Sequence, residues 1–380
     1  MKYCKTCLTT DLRPNASFSS DGICGACEFS NKQKHGSFDK SFKLKQLEQK
    51  IKKNAKKRRI KGDYDCIVGI SGGKDSTRQA HWVRDRLGLR PLLVCCGYAP
   101  LQMSNIGASN LSNIISMGFD LIVAIPAPRT SAELSLKSFK EFGNVCKSTE
   151  MALFASVPKI AIEMGINTIF WGENPALQVG DSAVEGEDEF DGNNLRNLNT
   201  LVEGGNDWLW EDLNDERLVD HYIYPDEIEF EKNKISIFYL GPAWDDWGNE
   251  DNATYASLRG LCLRPGEEGM TGDISNASML DEEFTNINMM LKYFKFGFGR
   301  ASDIVNEKLR VGELTREQGI AIVEKYDGIC GDEIIEKYCR YVGISSEKFW
   351  EIANNYVNKD LFTTHNNARP TKKFQVGVDL

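Results

Sequence analysis

Cys66-Ile-Val-Gly-Ile-Ser-Gly-Gly-Lys-Asp-Ser76 is the stretch on which the reading of this chain turns. Cys66–Ile70 is an apolar run of strand length, and Ser71-Gly72-Gly73-Lys74-Asp75-Ser76 follows it without a break. Thr77–Leu87 then reads as a helix. A strand, a glycine turn and a helix make a cradle for a phosphate group. The glycines let backbone N–H groups come close, and the helix N-terminus adds partial positive charge. The spacing is neither G-x-x-x-x-G-K-[ST] nor G-x-G-x-x-G. An ordinary tight turn needs no such run of small and polar residues.

The flanking chain extends the α/β pattern. Pro91–Gly97 is a second strand, apolar on both faces as buried parallel strands are. Asn105–Met117 reads as a helix, Phe119–Ile125 as a third strand, and Ser131–Phe142 and Ser148–Met164 as helices. Asn167–Trp171 is a fourth strand and Lys234–Leu240 a fifth. Strands alternating with helices predict a doubly wound parallel sheet. Ligands in such sheets sit beyond the carboxyl ends of the strands. Ser71–Ser76, Gly97–Ser104 and Gly172-Glu173-Asn174-Pro175 are therefore expected around one crevice. Residues 181–235 read as an acidic surface insertion, with Glu185, Glu187, Asp188, Glu189 and Asp191 a solvated cluster and a lid over that crevice the alternative. Trp244, Trp247 and Tyr255 suit either stacking on a base or sugar or local packing. Residues 280–357 read as mainly helical, with Thr315 and Ser345 or Ser346 as caps and Asp327-Gly328 as a stop. The polar tail after Asp360 is expected to be loose.

The 380 residues are 41% hydrophobic and 27% charged, with no apolar run of membrane-spanning length. One large domain with accessories is the expectation. Met1-Lys2-Tyr3-Cys4 lacks the apolar core of a signal peptide, so a cytoplasmic location is expected. The net charge of −9 argues against a nucleic-acid partner, which needs a basic face. Eleven cysteines without an export signal do not read as a disulfide framework. Cys4, Cys7, Cys24 and Cys27 instead form two C-x-x-C knuckles at zinc-ribbon spacing. Four thiolates close a tetrahedral site, which makes a structural zinc the expectation. An iron–sulfur cluster uses the same ligand type. The predicted organisation is a zinc ribbon at 1–30, a basic helical linker at 31–62, an α/β domain at 63–260 and a helical C-terminal region at 261–380 for substrate and partner.

Ser71–Ser76 resembles the pyrophosphate loop, S-G-G-x-D-S, of the N-type ATP pyrophosphatases, an adenine nucleotide alpha hydrolase-like fold. Those enzymes cleave ATP between its α- and β-phosphates. Together with the cysteine knuckles, Gly172-Glu-Asn-Pro175, Lys295-Phe-Gly-Phe-Gly-Arg-Ala-Ser-Asp303, Leu314-Thr-Arg-Glu317 and Tyr326-Asp-Gly328, the chain looks like the N-acetyl sugar amidotransferases of surface-polysaccharide (O-antigen, lipopolysaccharide) biosynthesis. The resemblance runs from about Cys4 to about Gly328.

That resemblance implies an ATP-dependent amidotransferase, a ligase that turns a sugar acetamido group into an acetamidino group. AMP is placed on the amide oxygen, and ammonia then displaces it. Ser71, Gly72, Gly73 and Ser76 would hold the departing phosphates, with Lys74 offsetting charge. Asp75 would bind Mg2+. Gly172, Glu173 and Asn174 would complete the nucleotide site, Glu173 also orienting the amide. Lys295, Arg300, Asp303 and Arg316 would hold the nucleotide-sugar, Arg300 beside the developing charge. Position 2 is Lys2 rather than a cysteine nucleophile, and His35, His81, His221 and His365 sit in no glutaminase context. A separate glutaminase subunit is therefore the expected ammonia source. The alternatives are a tRNA-thiolating enzyme, with Cys66 and Cys146 as sulfur carriers, and a nucleotide-binding module without catalysis.

Overall fold

In the computed structural model, Cys66–Gly69 becomes β1, the middle strand of a five-stranded parallel sheet. The structure describes residues 1–35, 40–55, 63–172, 184, 186, 190–211, 216–241, 244 and 247–380. The strands are β1, β2 (Pro91–Cys96), β3 (Asp120–Ala124), β4 (Thr168–Trp171) and β5 (Ser236–Tyr239), in the order β3-β2-β1-β4-β5. In register, Cys66 stands beside Pro91, Ile67 beside Ile169, Leu92 beside Asp120 and Thr168 beside Ser236. The order reverses between β1 and β4, so a crevice opens there beyond the strand ends.

Alternate side chains go to opposite faces. Val68, Leu93, Phe170 and Phe238 pack with α2 (Lys40–Ala55), α3 (Lys74–Asp85) and α4 (Asn105–Ser116). Ile67, Leu92, Val94, Ile169 and Ile237 pack against Val157 and Ala161 of α6 (Lys147–Glu163). The basic helix α2 buries Leu47 and Ile51 on the sheet and leaves Lys45, Lys50, Lys52 and Lys53 on its outer side. The linker's Lys56–Lys61 lie outside the described residues.

Two expectations change. The described part of 181–235 is not a surface insertion but part of the packed connection from β4 to β5. Leu195, Leu209 and Tyr222 are closed to solvent, and Gly192 and Phe190 hydrogen-bond along the outer edge of β5. Leu195, Leu198, Leu201, Trp208, Leu209 and Val219 recur through it, an apolar content that the acidic run hides. Among the cluster's carboxylates, Glu185, Glu187, Asp188 and Glu189 lie outside the described residues. The tail is also ordered. Phe362–His365 pairs antiparallel with Ala368–Lys372, Phe374 and Val376 are buried, and the Leu380 amide donates to the Met1 carbonyl. Its few apolar residues are spaced to reach one core, where Phe139 of α5 (Pro128–Phe142), Phe284, Tyr338 and Phe349 also meet. Trp244 packs on Trp82 and Trp247 and is buried, so the local-packing alternative holds.

Helices Phe284–Phe296, Arg300–Val311, Arg316–Tyr326, Asp332–Val342 and Ser346–Asn354 build the C-terminal region. Thr315 starts its helix with a reciprocal capping box to Gln318. The cysteine knuckles dock on this region through the Leu8 amide, which donates to Asn306 Oδ1 at 2.6 Å. No described helix is long and apolar enough to cross a membrane.

Candidate phosphate loop and its surroundings

Gly69 lets β1 pass close to its neighbours, since a β carbon there would sit 3.2 Å from the Trp171 ring and from Val157. Gly72 takes φ +86°, a left-handed conformation that glycine enters without strain. Gly73 precedes α3, and among the described residues no side chain caps that first turn. The leading N–H groups of a twelve-residue helix therefore face the turn with their donors unspent among the described residues. Ser71 Oγ accepts from the Gly73 amide at 3.3 Å and shapes the turn. Gly172, just past β4, stands opposite: a β carbon there would lie 3.7 Å from the Ser76 nitrogen. Gln79, wholly buried, donates to the Trp171 and Gly172 carbonyls and ties the end of β4 to α3. Glu173 and Asn174, expected in the nucleotide site, lie outside the described residues.

Asp75 is gripped on both oxygens. Lys74 Nζ lies 2.8 Å from Oδ2, and Asn252 Nδ2 donates to Oδ1 at 2.6 Å. Arg78 in turn donates to Asn252 Oδ1 at 2.7 Å. A carboxylate has about four acceptor positions, so two remain for a cation. Sequence reading missed Asn252. It lies 177 residues from Asp75 and carries no motif of its own.

The four cysteine sulfurs lie within 4.8 Å of one another and are buried. Cys4 and Cys27 are 3.9 Å apart, Cys7 and Cys24 3.7 Å. Tetrahedral zinc with bonds of about 2.3 Å implies sulfur separations of roughly 3.8 Å. The geometry fits zinc, and four thiolates so close need a cation to coexist.

Lys295, Asp303 and Arg316, three of the predicted sugar-binding residues, are committed to protein partners. Arg316 donates to the Cys4 carbonyl at 2.9 Å and to that of Cys7, so it clasps the first knuckle. Lys295 donates to the Phe142 carbonyl at the end of α5. Asp303 pairs with Arg13 and with Lys292, 2.8 Å away, and these cations hold its carboxyl well below the usual range despite burial. Arg300 reaches Ser278 Oγ. Asp327 accepts from the Gly299 and Ser302 amides and from the Ser302 hydroxyl. A β carbon at Gly328 would lie 2.2 Å from the edge of the Tyr293 ring. The aromatic–glycine stretch and Asp327-Gly328 thus form one clasp around a helix start. The Arg300 charge acts on Asp303, whereas Lys295 and Arg316 are held by backbone carbonyls of other segments.

One acidic pair was not anticipated. Asp281 Oδ2 accepts from the Tyr98 hydroxyl at 2.6 Å, and Glu282 Oε2 from Gln102 at 3.0 Å. Tyr98 and Gln102 belong to the stretch leaving β2. Between them, Ala99 and Leu101 face an apolar cleft of about 540 Å3 shared with Pro128, Leu136 and Tyr341.

Residues 279–375 match the family described as LPS biosynthesis protein WbpG-like, C-terminal domain. The match covers about a quarter of the chain, near its C-terminal end. No curated protein matches the chain. The WbpG-like segment contains Asp281, Lys292, Lys295, Arg300, Asp303, Arg316 and Asp327, so the clasp lies inside it, while Arg13, the other cation on Asp303, lies outside. The phosphate loop and the knuckles lie outside it.

Proposed function

We propose that this chain is an ATP-dependent amidotransferase of surface-polysaccharide biosynthesis. It converts a sugar acetamido group into an acetamidino group with ammonia from a separate glutaminase. The observation that carries the reading is the uncapped glycine turn at the head of α3, with Asp75 held beside it, in one chain with a WbpG-like LPS biosynthesis domain. Such a turn suits the β- and γ-phosphates of ATP, and Asp75 suits Mg2+. An amide oxygen is a poor leaving group, and AMP transfer to it makes the carbon open to ammonia. Ser71, Gly72, Gly73 and Ser76 would bind the phosphates, Lys74 would offset charge, and Arg300 would serve the acceptor side. The two sulfur-carrier candidates of the thiolation reading, Cys66 and Cys146, are both buried, and burial pushes both thiols far above their ordinary value. Neither suits attack as a thiolate.

The test incubates the chain with ATP, Mg2+, ammonium chloride and a panel of nucleotide-linked acetamido sugars. Mass spectrometry should show exchange of O for NH in one acceptor, with AMP and pyrophosphate formed alongside. AMP formation stimulated by tRNA and by no sugar would overturn the reading.

A further inference from the structure

We propose that Asp281 is the acceptor-side base of this site, taking the proton released when ammonia adds to the activated amide carbon. The inference rests on the amidotransferase reading.

Asp281 lies just past the carboxyl end of β2, next to Tyr98, and is partly open to solvent. Beneath it Tyr98 and Glu282 are 7% and 3% exposed, so only Asp281 can meet a ligand. Arg264 provides the second observation. It is 4% exposed, its Nη2 donates to the Met279 carbonyl at 3.0 Å, and its field acts on Asp281. Its Nε lies 3.4 Å from the Glu267 carboxylate, and its Nη1 is buried with no partner among the described residues. A closed guanidinium with an unspent donor beside a carboxylate fits a ligand that brings an acceptor oxygen and a transferable proton.

The backbone here is strained as well. Asn276 and Met279 hold φ of +57° and +51°, conformations that side chains rarely adopt. Such conformations gather at functional sites. Docking alone does not require the acids. The Ser104 amide already bonds the Asp281 carbonyl, and the Glu283 amide the Gln102 carbonyl. Apolar side chains would join the two segments without the cost of burying carboxylates.

Helix α4 sets the spacing to the phosphate loop. A β carbon on Gly107 would collide with the Asp281 backbone, and one on Gly72 would lie 3.4 Å from the Leu111 nitrogen. One turn of one helix therefore touches both Asp281 and the glycine turn. The groups facing Asp281 are Tyr98, Glu282 and Arg264, with the thiols of Cys95, Cys96 and Cys146 nearby. Burial raises the Asp281 carboxyl, as a base working near neutral pH requires.

In the step, the ammonia lone pair forms the new N–C bond. That nitrogen passes one proton to the Asp281 carboxylate. The C–O bond then breaks with its electron pair, so the amide oxygen leaves in AMP.

Asp281→Asn keeps the shape and removes the base. With the full chain, ATP, Mg2+, ammonium chloride and the acceptor panel, amidine formation should fall about 100-fold. Pyrophosphate exchange and the melting curve should persist. Tyr98→Phe removes a hydrogen bond that lowers the Asp281 pKa, so the acidic limb of the pH–rate profile should move to higher pH. Wild-type amidine formation by Asp281→Asn, an unmoved limb in Tyr98→Phe, or loss of exchange together with amidination would each overturn the assignment. A wild-type chain that makes no amidine removes the amidotransferase reading itself, which is a different result from a normal wild type with an unaffected variant.

Discussion

Replacing Arg316 separates two roles for one cation. From sequence it was a candidate for the sugar's diphosphate, whereas its guanidinium donates to the carbonyls of Cys4 and Cys7. A hydrogen bond from a charged donor contributes about 1.5–3 kcal/mol when buried. Arg316 is only half-buried, so about 1 kcal/mol for each of the two bonds is the appropriate scale. Arg316→Met keeps the packing of the stem and loses both. About 2 kcal/mol corresponds to roughly 30-fold weaker zinc retention, within the range of 10–100-fold for groups that orient metal ligands. A chromogenic chelator titrated against the purified chain reads this as faster and more complete zinc release. Cys24→Ser gives the reference for a lost ligand. The KM for the sugar acceptor should stay unchanged. Normal zinc retention with a raised KM would refute the clasp and restore the sugar-binding role.

Other perturbations test the remaining links. Asn252→Ala removes one of the two grips on Asp75 and should raise the Mg2+ concentration for half-maximal AMP formation about tenfold; an unchanged Mg2+ dependence would count against Asp75 as the metal carboxylate. Gly72→Ala and Gly88→Ala both place alanine at positive φ and should each cost about 1–2 kcal/mol in denaturant unfolding. Only Gly72→Ala should also abolish AMP formation, because Gly88 has open space around it. Phe374→Ala should cost about 3–5 kcal/mol, a loss that a loose tail would not show. Burial pushes the Glu282 carboxyl from 4.5 up to about 7. The folded state then holds this proton more tightly than the unfolded chain does. Its contribution is complete below pH 4.5 and is lost as pH rises to about 7. Relative to Glu282→Gln, the wild type should lose roughly 3 kcal/mol across that window, read from denaturant midpoints at several pH values. A flat difference would refute the burial argument.

Much of the α/β half was legible in the sequence. Buried parallel strands must be apolar on both faces, so Cys66–Ile70 and Pro91–Gly97 announced themselves, and the glycine turn between strand and helix has few other uses. The paired knuckles were equally plain, because two C-x-x-C units are the shortest way to bring four sulfurs to one ion. The C-terminal region was not. Its glycines and charges are spread over 261–380, and spacing alone does not distinguish a ligand from a packing partner.

Local sequence thus determined the elements, the phosphate turn and the cysteine site, since each is made by residues a few positions apart. Tertiary structure decided everything that joins distant segments. It placed Asn252 on Asp75, Arg316 on the knuckle carbonyls, Asp327 at the start of the helix from Arg300, and Asp281 beside Tyr98. Each of these contacts spans at least 25 residues of chain. A cation or carboxylate looks the same in sequence whichever of its possible partners folding brings within 3 Å.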